Sequence, residues 1–497
     1  MFAPKSCQAA KNDKKEPEKN LMKREKKLLK NTGIYFIGTF ASKGLSFVLL
    51  PIYTAYLSTE EYGAADLVIT TANLLLPIFT FQIVEAAFRY MLDCTDKDRN
   101  KVITNSLLIY HAGMMLSVVA FVITRFVVGY QNPYMWYLLL YMYFVGLGQL
   151  AQQLVRGMKR NADYAVSGIL LTLIQGISNI VFILAFGIKE ISLLLAPILA
   201  AVAVLLYLQG RTHVFSKFHK RDIDKQTQGK LLRFCIPLIP NQLSWWFLNS
   251  FGVYLLALTE KTTFYSGVMG VANKFPSLIV MINSIFTMAW QESSVEEMNA
   301  KDCEQYYSKM FNAFVRVQLS IVLLVLPAVN LYIKLLVHSS FQSALYYIPI
   351  LILAAVFNAY GQFFGVVYTT AKHTLGNLKT TLLSAAVSIV FTLLFAPTYK
   401  LWAVSCVTLL AFLIMFIVRA IDTRRYFTIS IQYTQMLWLM ALVAVAVLAY
   451  YMVPGLWQIA VFLVSLILVY RLNRTYIHRM FQSIRSLPAF SKSQKKD

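Results

Sequence analysis

Residues 36–57 read FIGTFASKGLSFVLLPIYTAYL, a run long and apolar enough to cross a bilayer, with Lys43 near its middle. At about 1.5 Å of rise per residue, a helix starting near Gly33 carries that ammonium about 15 Å into the hydrocarbon. A lysine at mid-membrane costs roughly 2.5–3.5 kcal/mol on insertion scales, so its position needs a reason. Stretches of this kind recur from one end of the chain to the other. Of 497 residues, 58% are hydrophobic and 14% charged, against about 25% charged in a soluble domain. The sequence therefore predicts an all-α polytopic membrane protein.

About fourteen membrane-spanning helices can be placed. Among them are helix 2 near 62–90, helix 7 near 230–258 and helix 8 near 263–291. The net charge is +23, but its placement argues against nucleic acid as a partner. Lys and Arg gather in the termini and in every second connection: Lys97, Arg99 and Lys101; Arg156, Lys159 and Arg160; then Arg211 through Lys230. The intervening connections, such as STEEYG, GYQNP and GIKE, hold at most one basic residue each. This alternation predicts an even helix count with both termini cytoplasmic. Residues 1–31 are basic and polar without an apolar core or cleavage site, so they read as a cytoplasmic tail attracted to anionic lipid and not as a secretory signal.

The longest internal connection, RTHVFSKFHKRDIDKQTQGK, divides the chain. The expected organisation is a six-helix lobe over 32–211, a basic linker over 212–229, a second six-helix lobe over 230–427, helices 13 and 14 over 428–472, and a basic tail over 473–497. A faint internal repeat relates the two lobes. KLLKNTGIYFIG at 27–38 matches KLLRFCIPLIPN at 230–241; Tyr62-Gly63 matches Tyr265-Ser266-Gly267; TTANLLLP at 70–77 matches GVANKFP at 270–276. Both copies run in the same direction through the membrane. The two lobes are therefore expected to be pseudo-symmetric about an axis along the membrane normal.

Four of the basic residues inside predicted spans are the candidate anion ligands: Lys43, Lys274, Arg89 and Arg316. Snorkelling can bring Arg89 to the interface, but Lys43 and Lys274 lie deeper than a four-carbon stem reaches. Charges at that depth face a bundle interior or a wet cavity, and an ammonium without a nearby acid binds phosphate as a point charge. Polar side chains that could line such a cavity are Asn73, Asn241, Gln242, Asn249 and Asn273. Pro237 and Pro240 are expected to break or bend helix 7 and free carbonyls there. Glu85 and Asp66 are the candidates for coupling to an ion gradient, although Glu85 stands four residues before Arg89 and is expected to pair with it. Five cysteines and six histidines are scattered, so neither a metal site nor a cofactor is expected, and no GxxxxGK[ST] phosphate loop occurs. No constellation for covalent or metal catalysis is present, so the protein is not expected to be an enzyme.

The segment FVLLPIYTAYLSTEEYGAADLVITTANLLLPIFTFQIVEAAFRY (47–90) resembles the opening helices of bacterial polysaccharide, or oligosaccharide-lipid, flippases. That family carries a typical "lLPlYTrxLsxxeYG" stretch, present here as Leu50-Pro51-Ile52-Tyr53-Thr54 and Glu60-Glu61-Tyr62-Gly63. It belongs to the multidrug/oligosaccharidyl-lipid/polysaccharide exporter superfamily. The resemblance implies two six-helix lobes around a cationic cavity lined by helices 1, 2, 7 and 8. It also implies a cargo of undecaprenyl-diphosphate-linked oligosaccharide, moved across the bacterial cytoplasmic membrane by alternating access for surface polysaccharide synthesis. Polysaccharide polymerases or glycosyltransferases, membrane lipids, and a proton or sodium ion are the implied partners. Two other readings compete. A multidrug exporter of the same superfamily is expected to need a buried carboxylate for organic cations. A membrane glycosyltransferase or polymerase is expected to need a long outward loop, and none is visible.

Overall fold

The computed structural model describes residues 47–94, 98–127, 129, 132–298, 300–371 and 373–485. No strand occurs among them, and ten helices are long and apolar enough to cross a membrane. The broken helix pair α11 (Phe264–Ala272) and α12 (Pro276–Glu297) passes the same test jointly. One of the ten, α15 (Thr374–Asp422), has 49 residues, about 74 Å of helix against roughly 30 Å of hydrocarbon. It is broken at Lys400 (φ 51°, ψ −129°), which divides it into two spans. The short apolar helices α1 (Phe47–Tyr56) and α10 (Phe251–Glu260) supply the visible end of helix 1 and part of helix 7. The predicted fourteen segments are thus all represented.

The chain forms two compact units, one from residue 42 to 270 and one built on 271–497. In the first, α2 (Thr59–Phe79) opens with a capping box: the Glu61 amide donates to Ser58 Oγ at 3.1 Å, and the Ser58 amide donates to Glu61 Oε2 at 2.8 Å. These bonds satisfy amides that a helix start leaves open. Helix 2 does not run unbroken as the sequence suggests. After Pro77 the chain leaves α2, Phe81 and Gln82 adopt left-handed backbone (φ 52° and 57°), and α3 (Ile83–Asp93) begins. The core of this unit forms where α3 and α7 (Ser192–Thr212) flank α5 (Met135–Gly157): Ala86, Ala87, Leu150, Ala151, Leu154, Val204 and Leu208 are all fully buried. Small residues allow these helices to approach closely where lipid offers no hydrophobic drive to associate.

Helix 7 is broken, as its prolines require. It consists of α8 (Lys225–Cys235), a tighter turn at 236–238, α9 (Ile239–Asn249) and α10, with Ser250 out of helical conformation between the last two. Asp224 caps α8. The Thr227 hydroxyl and amide, followed by the Gln226 amide, hold its carboxyl below the usual aspartate range.

A close, reciprocal backbone approach in the first unit joins α2 and α11. A Cβ on Gly63 would overlap the Thr263 carbonyl and come within 2.7 Å of the Gly267 amide nitrogen. Reciprocally, a Cβ on Gly267 would overlap the Thr59 carbonyl. The contact is reinforced by Thr263 Oγ1 donating to the Glu60 carbonyl (2.7 Å) and Ser266 Oγ donating to Asp66 Oδ2 (3.1 Å).

The second unit is built on aromatic packing and one buried charge. Trp290 stacks on Phe363 (centroids 4.5 Å apart) and Phe286 on Phe314 (4.3 Å). These contacts join α12, α13 (Cys303–Leu336) and α14 (Ile348–Thr370). Helices α16 (Tyr433–Met452) and α17 (Gln458–Arg485) attach to α13 through amides: Asn330 Nδ2 donates to the Tyr450 carbonyl (2.9 Å) and Asn473 Nδ2 to Ser320 Oγ (2.7 Å). Arg419, 2% exposed, donates to the Gly361 carbonyl (2.9 Å), Thr380 Oγ1 (3.0 Å) and Thr381 Oγ1 (2.9 Å). No carboxylate lies within ion-pair distance of it among the described residues. Its charge is solvated instead by neutral oxygens of α14 and of the first half of α15, and a Cβ at Gly365 would come within 2.9 Å of its Nη1.

Two predictions follow from these contacts. Gly63→Ala and Gly267→Ala should each lower the thermal midpoint of detergent-purified protein, by the ~1–3 kcal/mol typical of overpacking. Gly168→Ala, at a helical site with open space, should leave it unchanged or raise it. Arg419→Leu should destabilise by roughly 2 kcal/mol or more, the scale of lost hydrogen bonds to a charged group. Arg419→Lys should not restore stability, because an ammonium cannot reproduce the planar fork.

Candidate functional site

The break at Phe81–Gln82 and the bend of helix 7 flank a cavity of about 660 Å³ within the first unit. Asn73, Asn241, Gln242, Asn249 and Glu85, five of the residues singled out in the sequence, line it together with Gln82, Gln149, Thr80, Trp245 and Trp246. Pro77 lacks an amide hydrogen, so the Asn73 carbonyl four residues earlier has no helical donor, and backbone as well as side-chain polarity is available there. Asn249 donates Nδ2 to the Trp245 carbonyl (2.7 Å), which fixes the amide's orientation on α9. Trp246 is buried, and its indole N–H donates to the Thr70 carbonyl of α2 (3.0 Å), pinning α9 against α2 at one end of the cavity.

The walls are rich in side-chain amides, each both donor and acceptor, beside aromatic faces. Such walls match hydroxyl-bearing rings, which need both kinds of hydrogen-bond partner at once and present apolar C–H faces for stacking. Of the described lining residues only Glu85 is charged.

The ion pairing expected of Glu85 does not occur. Arg89 reaches forward one turn to Asp93 (2.5 Å) and stays on an exposed face, while Glu85 makes no ion pair among the described residues. Both partners are i±4 from Arg89, and the cavity leaves Glu85 open to water, whereas Asp93 stands at the helix end. Arg89 is not a lining residue. Asp66 accepts from Ser266 at the α2–α11 crossing, away from the cavity.

The remaining candidates lie elsewhere. Lys43 is outside the described residues. Lys274 belongs to the second unit and sits, half-buried, in the turn at 273–275 between α11 and α12. Helix 8 is therefore interrupted where the sequence reads as continuous, and Asn273 is exposed in the same turn. Arg316, also in the second unit, donates from Nη2 to Gln435 Oε1 (2.9 Å), tying α13 to α16. Among the described residues no cluster of His, Cys, Asp or Glu could hold a metal ion. Sequence reasoning missed Gln149 and Gln82 as cavity residues. Gln149 is the first amide of a span that also carries Gln152 and Gln153, and such a group of amides inside a membrane helix is the signal that could have found it.

A model of a family described as polysaccharide biosynthesis protein matches residues 28–295, just over half of the chain. The chain belongs to that family, and it is a multi-pass membrane protein. No curated protein sequence matches it. Among solved structures, an inward-facing multidrug resistance MATE family transporter of the MOP superfamily superposes with a TM-score of 0.59 at 15% identity, covering 82% of this chain and 94% of that one. The outward-facing form of such a transporter gives 0.54 at 15% identity, covering 88% and 99%. A MATE bound to MaL6 gives 0.53 at 15%, covering 85% and 97%. At these identities the likeness defines a shared transporter fold.

If the cavity is filled with water, its accessibility should follow the lining. In a cysteine-free background, Asn73→Cys, Gln242→Cys and Asn249→Cys should react with a membrane-impermeant maleimide at least about tenfold faster than Ser244→Cys or Leu248→Cys, whose side chains on α9 are buried. Equal rates would show that this space is closed to solvent.

Proposed function

We propose that the protein flips undecaprenyl-diphosphate-linked oligosaccharide across the bacterial cytoplasmic membrane, supplying repeat units for surface polysaccharide. The observation that carries this reading is the amide-rich, tryptophan-flanked cavity of about 660 Å³ inside a membrane unit of a polysaccharide-biosynthesis family member. A glycan carries too many hydroxyls to cross hydrocarbon unaided, and this cavity replaces their water with side-chain donors and acceptors. The diphosphate needs cations, which Lys43 and Lys274 supply, with Arg89 and Arg316 attracting it on entry. The polyprenyl chain stays in lipid throughout, and both termini face the cytoplasm. Alternating access moves the cargo, either coupled to a proton or sodium gradient through Glu85 or Asp66 or driven by the cargo's own gradient. The protein carries out no bond chemistry, and its partners are the enzymes that build and polymerise the cargo.

A second reading rests on one specific observation. A carboxylate without an ion pair, beside Trp245 and Trp246, is what an organic cation requires, and the fold is shared with multidrug transporters. The two readings separate in a deletion strain. Under the flippase reading, deletion causes a lipid-linked saccharide to accumulate, detectable by mass spectrometry, and surface glycan is lost. Lys43→Ala, Lys274→Ala and the Asn73→Leu/Asn241→Leu pair then each fail to restore it although they insert normally. Under the exporter reading, the strain becomes sensitive to cationic dyes, Glu85→Gln fails to restore resistance, and lipid-linked saccharides are unchanged.

A further inference from the structure

The first unit contains a second cavity, of about 450 Å³, that the transport reading does not use. It lies on the opposite face of α2 from the polar cavity and nearer the Thr59 end of that helix: Ala64, Leu67, Val68 and Thr71 contribute from α2, and Tyr254, Ala257 and Leu258 from α10. The bond from the Trp246 indole to the Thr70 carbonyl sits at the boundary between the two.

The chemistry of the walls is opposite to that of the first cavity. The hydroxyls of Thr71 and Thr124 are turned onto carbonyls of their own helices, Leu67 (2.7 Å) and Ala120 (2.8 Å), so that both present methyl groups, and Tyr254 adds an aromatic ring. From Ala64 to Thr71 the apolar wall runs about 10 Å along α2. The rim is polar and stands where spans end: Asn132 and Tyr134 precede α5, and Lys261 to Thr263 follow α10. Most of its polar groups are engaged within the unit. Tyr134 Oη donates to Glu190 (3.1 Å) and Thr263 Oγ1 to the Glu60 carbonyl (2.7 Å). The Lys261 ammonium makes no hydrogen bond or ion pair among the described residues.

We propose that this cavity is a phospholipid site, with an acyl chain in the apolar space and the lipid phosphate on Lys261. An apolar void of this size inside a membrane protein forfeits dispersion contacts along its whole lining, and water gains nothing by entering it. Surrounding lipid fills it at no hydrophobic cost, because the chain only exchanges one hydrocarbon environment for another. What holds one particular lipid there is the head group. The rim cation follows the last residue of α10 and lines the mouth of the slot, where a span ends and a lipid phosphate is within reach. The proposal is independent of what the transporter carries.

Purified protein in nanodiscs of 3:1 phosphatidylethanolamine to phosphatidylglycerol, doped with a phospholipid bearing a diazirine in its acyl chain, should photo-crosslink within 67–71 of α2 and 254–258 of α10. Ala257→Trp should abolish those crosslinks by filling the slot. Lys261→Gln, an exposed change that leaves the fold intact, should reduce them about two- to fivefold. Crosslinks spread evenly over the lipid-facing helices, or an unchanged yield in Lys261→Gln, would overturn the site. Displacement by undecaprenyl phosphate but not by excess unlabelled phosphatidylglycerol would overturn the phospholipid assignment and give the slot to a polyprenyl chain.

Discussion

The first unit depends on a backbone-to-backbone contact that only glycine permits. Gly63 and Gly267 lie at equivalent positions of the internal repeat, and each presses on the carbonyl at the start of the other's helix, Thr263 and Thr59. The contact is reciprocal, as a pseudo-twofold relation demands: residue i of one copy meets residue j of the other, and the reverse. With α2 fixed against α11 in this way, the hydroxyl and carboxylate bonds around the crossing find their partners. The path of α2 toward its break at Phe81 and Gln82, and so one wall of the polar cavity, is then set. The Tyr-Gly pair that ends the family's opening motif is therefore understandable as packing and not as chemistry.

Much of this was legible in the sequence because membranes make residue choice expensive. An asparagine in a span has few tolerable surroundings, so Asn73, Asn241 and Asn249 could be marked as cavity candidates without coordinates, and Pro237 with Pro240 announced the bend that aims α9. Other features left no such trace. Nothing local distinguishes Asp93 from Glu85 as the partner of Arg89, since both stand four residues away; the choice is made by the tertiary surroundings of α3. The left-handed backbone at Phe81 and Gln82 is adopted by residues that do not favour it, so it is imposed by packing and could not be read from residue type. Lys274 looked like a mid-span charge because the break at 273–275 contains no glycine and only Pro276 flanks it.

The two cavities illustrate how one pair of elements can serve two solvents. Along α2, Leu67 and Val68 face the apolar cavity and Asn73, within two turns but on the opposite face, the polar one, while along α9–α10 the lining changes from Asn249 to Ala257. The Trp246 indole stands at the transition, its ring edge-on to Tyr254 (centroids 5.6 Å apart) and its N–H toward the α2 backbone. A side chain with an apolar body and a single donor suits such a boundary.

Arg419 has a consequence for how the chain enters the membrane. The oxygens that solvate its guanidinium come from Gly361, Thr380 and Thr381, all earlier in the chain. The span after Lys400 therefore reaches its full stability only when packed against the two preceding spans. The order of synthesis supplies those spans first, so that this part of the protein is assembled as a hairpin delivered onto a waiting neighbour.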